Sequence, residues 1–166
     1  MRPWARIAFW VVVAGQLVFL LGFIAMKEVS LRTGTEVVLQ TVPVDPRSLL
    51  QGDYAILDYE IADLPPFMRD DEAGQPVYVA LREGADVWRA LRYARDEQSV
   101  YGEVFIKGFV DRRGHADFGI GTYFVPEGTG RIIEAARDVK VVVNVASDGS
   151  AIIKEVLVDG EPFNPN

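Results

Sequence analysis

The residues of this chain that could do chemistry are mainly carboxylates. Asp and Glu together number 24, against 17 Lys and Arg. A pair of carboxylates can hydrolyse a bond when their surroundings separate their pKa values, so that one acts as an acid and the other as a base. The candidates for such a pair are Asp45, Asp53, Glu127 and Glu134. With so many acidic residues in the chain, however, candidates of this kind also arise by coincidence.

Composition excludes several other kinds of site. The chain has no cysteine and a single histidine, His115, which excludes zinc sites of thiolates or clustered histidines, a disulfide framework and a cysteine nucleophile. His115 follows Gly114 in a predicted turn, where a solvated histidine is expected. No spacing resembles a calcium loop or a phosphate-binding loop. We therefore expect no metal and no cofactor.

The charge is unevenly distributed along the chain. Arg2, Arg6 and Lys27 against Glu28 give residues 1–28 a net charge of +2, and because the total is −7, residues 29–166 carry −9. A nucleic-acid-binding domain would need the opposite sign. We therefore expect no nucleic-acid partner.

Residues 45–59 contain a compact turn-and-strand pattern. Asp45-Pro46 is typical of a turn, Gly52 permits a bend, and Asp53 is suited to cap it. Tyr54 and Tyr59 can each bury a ring while the hydroxyl finds a partner. A purely structural use explains all these residues. The alternative is a binding surface built from Asp53, Tyr54 and the loop of residues 126–128, if the fold brings them together.

Residues 52–59 match the pattern G-D-Y-x-x-L-x-Y letter for letter. On this motif, its Asp-Pro-Arg approach and a later segment at residues 123–130, the chain resembles the GDYXXLXY family of bacterial membrane-anchored proteins. The resemblance covers the anchor and essentially the whole exported part. It implies no particular reaction, and it implies a polytopic membrane protein as partner. The motif residues that it singles out are Asp45, Pro46, Arg47, Gly52, Asp53, Tyr54, Leu57, Tyr59, Pro126, Glu127, Gly128 and Glu134.

A second resemblance points to an enzyme. The approach to the motif and residues 105–108 are similar to type I signal peptidases, which use a serine with a lysine of depressed pKa as the base. Ser48 and Lys107 would be that pair here. Pro43 stands where that family has its nucleophile, and Ser48 lies on the wrong side of Pro46. This departure favours a non-catalytic relative.

Residues 7–26 form an uncharged apolar stretch. Twenty such residues match one helical crossing of a hydrocarbon core of about 30 Å. A cleaved signal peptide has a shorter apolar region and a small-residue exit, whereas Phe23 and Ile24 lie near the end of this one. Because Arg2 and Arg6 precede the stretch, the N-terminus is expected in the cytoplasm and the rest in the periplasm.

The remaining chain reads as short strands separated by turns. Alternating and β-branched runs predict strands over residues 37–42, 54–61, 77–82, 87–93, 100–110, 116–125, 139–146 and 151–158. Residues 111–114 and 147–150 place glycine in hairpin turns, which predicts antiparallel neighbours. Only residues 130–138 look helical.

The predicted fold is therefore mainly β. We expect a compact barrel-like or sandwich domain of about eight antiparallel strands with one short helix, over residues 29–166, after a single N-terminal transmembrane helix within residues 1–28. The predicted role is a membrane-tethered periplasmic binding or assembly component without catalytic activity, beside a polytopic membrane protein of the bacterial inner membrane. The alternative is an envelope hydrolase, either the Ser48/Lys107 peptidase or a carboxylate-based enzyme.

Overall fold

The fold is seen in a computed structural model, which describes residues 3–32, 34–42, 54–69, 71–126, 133, 136 and 138–163. The chain divides into two compact units, Met1–Thr33 and Gly34–Asn166. The protein is mainly β, as predicted, with 43% strand and 24% helix. Most of the helix belongs to the first unit, so the second unit is a β domain.

Helix α1 spans Pro3–Arg32 and makes up the first unit. Its window Ile7–Ala25 has a mean hydropathy of 2.4, and none of that window is buried within the protein. At 1.5 Å per residue these 19 residues extend about 28 Å, close to the thickness of a hydrocarbon core. Helix α1 is therefore long and apolar enough to cross a membrane.

The second unit contains eleven short strands and one short helix, α2 (Pro66–Arg69), among the described residues. The strands are β1 Thr35–Val42, β2 Tyr54–Ile56, β3 Asp58–Tyr59, β4 Pro76–Arg82, β5 Arg89–Ala94, β6 Phe105–Val110, β7 Ala116–Asp117, β8 Thr122–Phe124, β9 Val139–Val145, β10 Ala151–Val158 and β11 Glu161–Pro162.

These strands form three sheets with a half-barrel curl. The five-stranded sheet has the order β11-β10-β9-β1-β3, the four-stranded sheet has the order β5-β4-β6-β7, and β2 pairs with β8 in a ribbon. Each of these pairs is antiparallel. The two predicted hairpins are confirmed, because β6 pairs with β7 and β9 pairs with β10.

The core lies between the inner faces of the two larger sheets. Val37 and Leu39 of β1, Val141 and Val143 of β9, and Ile106 of β6 are fully buried. In β1 these positions alternate with more exposed ones, and in β9 Val142 between them is more exposed, which is the pattern expected of a sheet with one face on the core. The same alternation in the sequence predicted the strands.

The tip of the β9–β10 hairpin lies against β6. The N–H of Lys107 donates to the carbonyl oxygen of Gly149 at 2.9 Å. Gly149 has a φ of +78°, and a Cβ at this position would lie 2.4 Å from the ring of Phe105. Glycine is therefore required here both for the turn and for the close approach. This contact joins the five-stranded sheet to the four-stranded one.

Three of the predicted strands were too long. The run 54–61 breaks at Leu57 and ends in a 3-10 turn at Glu60–Ala62. The run 116–125 breaks around Gly119, whose φ of +73° interrupts an extended strand. The run 100–110 begins as a strand only at Phe105, because Gln98–Val100 forms another 3-10 turn. These breaks raise the number of strands above the predicted eight.

The helix predicted over residues 130–138 lies almost wholly outside the described residues. Trp88, which falls within the predicted strand 87–93, precedes β5 and packs partly buried against the core. Its N–H donates to the carbonyl oxygen of Val38 at 2.8 Å. Trp88 therefore connects the segment before β5 to β1.

Candidate functional site

The described part of the motif begins at Tyr54. Tyr54, Leu57, Tyr59 and Pro126 are described, and so is Lys107. The other predicted site residues lie outside the described residues. They are Asp45, Pro46, Arg47, Ser48, Gly52, Asp53, Glu127, Gly128 and Glu134.

The motif strand and the start of the later segment at residues 123–130 meet in the fold. Strand β2 pairs with β8 in a ribbon, with Tyr54 opposite Phe124, Ala55 opposite Tyr123 and Ile56 opposite Thr122. The motif strand therefore lies beside the segment that leads to Pro126. The sequence left this meeting open, because the two segments are about 70 residues apart.

The two faces of the ribbon differ in burial. On the inner face Ala55 is buried and Tyr123 packs against the core. The outward face carries Tyr54, Ile56, Thr122 and Phe124, and the side chain of Phe124 is 78% exposed. The rings of Tyr54 and Phe124 contact edge to face, with 6.5 Å between their centroids. This pair forms an apolar patch on the surface of the domain.

The second half of the motif is hydrogen-bonded to the segment that leads into β8. The Leu57 N–H donates to the carbonyl oxygen of Gly121 at 2.9 Å, and the Tyr59 hydroxyl donates to that of Ile120 at 2.7 Å. Both side chains are buried. Burial, with a smaller contribution from Asp58, raises the pKa of Tyr59, so its hydroxyl stays protonated. The structural reading of Leu57 and Tyr59 therefore matches their positions.

A cleft of about 340 Å³ lies next to the ribbon. Its walls come from the motif segment and from the chain between β6 and β8. Polar and charged groups line much of it, and they are Asp58, Asp111, Arg113, His115, Asp117 and Thr122. Ile56 and Thr122 belong both to the cleft and to the outward ribbon face. The ribbon and the cleft are therefore one continuous surface.

Asp111 is held by its own turn. It accepts hydrogen bonds from the N–H groups of Arg113 and His115, at 2.7 and 2.9 Å, and from the Arg113 side chain at 2.9 Å. Partial burial raises the pKa of Asp111, but these hydrogen bonds outweigh it, and the net effect is a pKa below the ordinary value. Asp111 is therefore an ionised structural group that shapes the turn.

His115 is less solvated than predicted. It is half-buried, and its backbone forms a bridge with Asp63. The bridge links β7 to the segment after the motif, so His115 closes one wall of the cleft. A sequence pattern of Gly followed by His in a turn gives no sign of such a partner, because Asp63 lies about 50 residues earlier.

Lys107 belongs to β6, and its side chain lies on the outer side of the four-stranded sheet. The tip of the β9–β10 hairpin lies next to it. Its ammonium group forms an ion pair with Asp148 at 3.2 Å, and its side chain is 41% exposed. A lysine that acts as a base needs burial that disfavours its charged form. Lys107 instead has a partly exposed side chain that is paired with a carboxylate.

Among the described residues, no group of three His, Asp or Glu side chains is placed to hold a metal ion. The cleft is lined by three carboxylates, those of Asp58, Asp111 and Asp117. The surface that they form with the ribbon is suited to contact another molecule through an apolar patch and an acidic rim.

Sequence reasoning missed several residues of this surface. Phe124, Asp58, Asp117 and Arg113 were not predicted as site residues. Asp58 occupies a variable position of the motif, and alternation from Tyr54 would have placed it on the side of Ile56. Phe124 lies in the segment 123–130 that the resemblance names, and Asp117 carried no comparable signal; the exposure of both depends on contacts that only the fold creates.

No curated protein and no solved structure matches the chain. Residues 16–156 match the family model described as GDYXXLXY protein, and this match covers most of the chain, from within the apolar helix to β10. The chain belongs to the GDYXXLXY family.

Proposed function

We propose that this protein is a non-catalytic binding or assembly component, tethered by α1 to the bacterial inner membrane and acting beside a polytopic membrane protein. The β domain would lie in the periplasm and the N-terminus in the cytoplasm. The excess of positive charge before the apolar helix supports this orientation. The tether raises the effective concentration of the domain near membrane partners, which makes a small contact surface sufficient.

One observation carries the proposal. The motif strand β2 pairs with β8 in a ribbon whose inner face is packed on the core and whose outward face carries Tyr54 and Phe124. A phenylalanine that is 78% exposed contributes nothing to the core on that side. Aromatic residues that are exposed in the free protein are often buried at the centre of an interface once a partner binds.

The position of Lys107 supports a non-catalytic role. The candidate base of a Ser/Lys peptidase is paired with Asp148 on the surface, whereas such a base has to lose water and charge to accept a proton from serine. No contact of the described residues favours the hydrolase alternative over binding.

The proposal can be tested by photocross-linking in membranes of the source organism. Benzoylphenylalanine replaces Phe124 in the full-length protein, and in a control variant it replaces Tyr101, which is 87% exposed elsewhere on the domain. Both changes keep an aromatic ring at an exposed position, so folding should be unaffected. Cross-linked proteins are then identified by mass spectrometry.

We expect the photoreactive group at Phe124 to capture one polytopic membrane protein that the group at Tyr101 does not capture. Equal capture at both positions would mean that the contact is unspecific. Capture of no membrane protein at Phe124, with the folded protein present in the membrane, would show that the ribbon is not the binding surface.

A further inference from the structure

The outward face of the ribbon continues into the cleft along the motif strand. Tyr54, Ile56 and Asp58 alternate with the buried residues Ala55, Leu57 and Tyr59. Ile56 and Asp58 both line the cleft. An extended segment that lies on the Tyr54–Phe124 pair would therefore reach the acidic wall a few residues further along.

Asp58 and Asp117 of that wall form no ion pair within the part of the chain that the structure describes. Arg113 is paired with Asp111. Asp58 accepts from the Tyr59 N–H, and Asp117 from the Gly119 N–H, each at 2.9 Å. Each donor is a neutral amide that engages one carboxylate oxygen, so these two hydrogen bonds do not neutralise the negative charges.

The acidic wall of the cleft already binds one cation of the chain, the guanidinium of Arg113. Arg113 lies at the rim of the cleft, with its side chain 78% exposed. Asp111 first, and Asp58 and Asp117 at longer range, raise the pKa of Arg113. Three carboxylates and one guanidinium line the cleft, so its lining carries an excess of negative charge that a second cation could offset.

We propose that the outward ribbon face, together with Asp58 and Asp117, binds an extended segment of a protein partner that carries an apolar side chain and a basic side chain four residues apart. The inference rests on the proposed function and names the chemistry of the partner. Four residues of an extended chain span about 13 Å, and Tyr54 and Asp58 are likewise four residues apart on the less buried side of the motif segment. The apolar side chain would contact Tyr54 and Phe124, and the basic one would lie between Asp58 and Asp117.

A matched pair of synthetic peptides tests this pairing directly. The first is acetyl-Phe-Thr-Val-Thr-Arg-amide, and the second has citrulline in place of arginine, which keeps the shape and removes the charge. Binding to the full-length protein in nanodiscs of zwitterionic lipid is measured by fluorescence anisotropy of the labelled peptides. We expect the arginine peptide to bind about fivefold more tightly at low salt, a difference typical of partly exposed ion pairs.

Two charge-matched variants locate the effect. Asp58→Asn/Asp117→Asn keeps an oxygen that accepts each backbone N–H, so both turns should persist. Glu83→Gln/Glu161→Gln removes the same charge from two exposed sites outside the cleft. The preference for arginine should disappear in the first variant and remain in the second.

Equal binding of the two peptides by the native protein would overturn the inference without any variant. The inference would also be overturned if both double variants reduced the preference for the arginine peptide equally. The preference would then reflect only the negative charge of the whole domain. Either result leaves the cross-link at Phe124 as a separate test of the proposed function. If the cross-link succeeds and the peptides fail, the binding role stands and the basic partner segment is wrong.

Discussion

The β domain contains two tyrosine–phenylalanine pairs whose phenylalanines differ in exposure. Tyr78 and Phe105 lie on the outer face of the four-stranded sheet with 6.1 Å between their ring centroids, and Tyr54 and Phe124 lie on the ribbon with 6.5 Å. Phe105 is 7% exposed, whereas Phe124 is 78% exposed. The type of side chain is the same in both places, so the neighbours decide whether it belongs to the core.

The difference is the hairpin tip that covers the first pair. Gly149 lies directly against the ring of Phe105, and Val100, Ala80 and Ala94 complete a small second cluster around it. Exposed aromatic area of this kind is unfavourable in water unless something covers it. In the first pair the chain supplies the cover itself. In the second pair we propose that a partner supplies it.

The largest expected effect comes from truncating the two phenylalanines. Phe105→Ala removes a buried ring, and we expect it to lower the free energy of unfolding by about 3 kcal/mol. Phe124→Ala should change it by less than about 0.5 kcal/mol, as is typical of surface substitutions. Chemical denaturation of the full-length protein in detergent measures both. Similar losses in the two variants would mean that the two pairs do not differ in the way described.

A second prediction concerns the cover over Phe105. Gly149→Ala adds a Cβ that would lie 2.4 Å from that ring, at a φ of +78°, so we expect a loss of about 2 kcal/mol in the same measurement. Gly160→Ala is the control, because Gly160 also has a positive φ, of +88°, but a Cβ there meets nothing within 4 Å. It should lose only the backbone contribution, about 1 kcal/mol. Equal losses would show that Phe105 is not tightly covered.

The smallest effect is expected from the ion pair beside the hairpin tip. The pKa of Asp148 is lowered to about 2, mainly because the Ser150 hydroxyl donates a hydrogen bond to its carboxylate. Burial opposes this effect, whereas the Ser150 N–H and Lys107 lower the pKa further. Because the folded pKa is below the unfolded one, the stabilisation is present above about pH 4 and is lost as the pH falls towards 2. Since the side chain of Asp148 is 48% exposed, solvent screening should keep the effect below about 1 kcal/mol.

The comparison of native protein with Asp148→Asn isolates this contribution from the other carboxylates. Thermal unfolding is recorded at steps between pH 6 and pH 2. The difference in stability between the two proteins should shrink over the lower half of that range. A difference that stays constant with pH would contradict the depressed pKa.

The motif shows which features of the fold the local sequence pattern predicts and which it does not. Alternation predicted an extended chain over residues 54–61, and Leu57 and Tyr59 do lie on the same, buried side, because alternate side chains of an extended chain point the same way even where the strand is interrupted. It did not predict the break at Leu57. That break depends on a hydrogen bond to Gly121, which is distant in sequence.

The candidate site was only partly predictable for the same reason. Tyr54 and the segment near Pro126 were recognised, but the ribbon needed the pairing of β2 with β8. Asp58 and Asp117 become neighbours of one cleft only after the chain between β6 and β8 folds back on the motif.

The sequence alone determined the apolar helix, the β class of the domain, its two hairpins and the family, because these depend on local composition, alternation and turn chemistry. Only the tertiary structure decided that Phe105 is covered while Phe124 is not, that Lys107 is paired at the surface, and that ribbon and cleft form one face. Each of these depends on contacts between residues far apart in the chain, whose pairing comes from the packing of whole sheets and not from local preference.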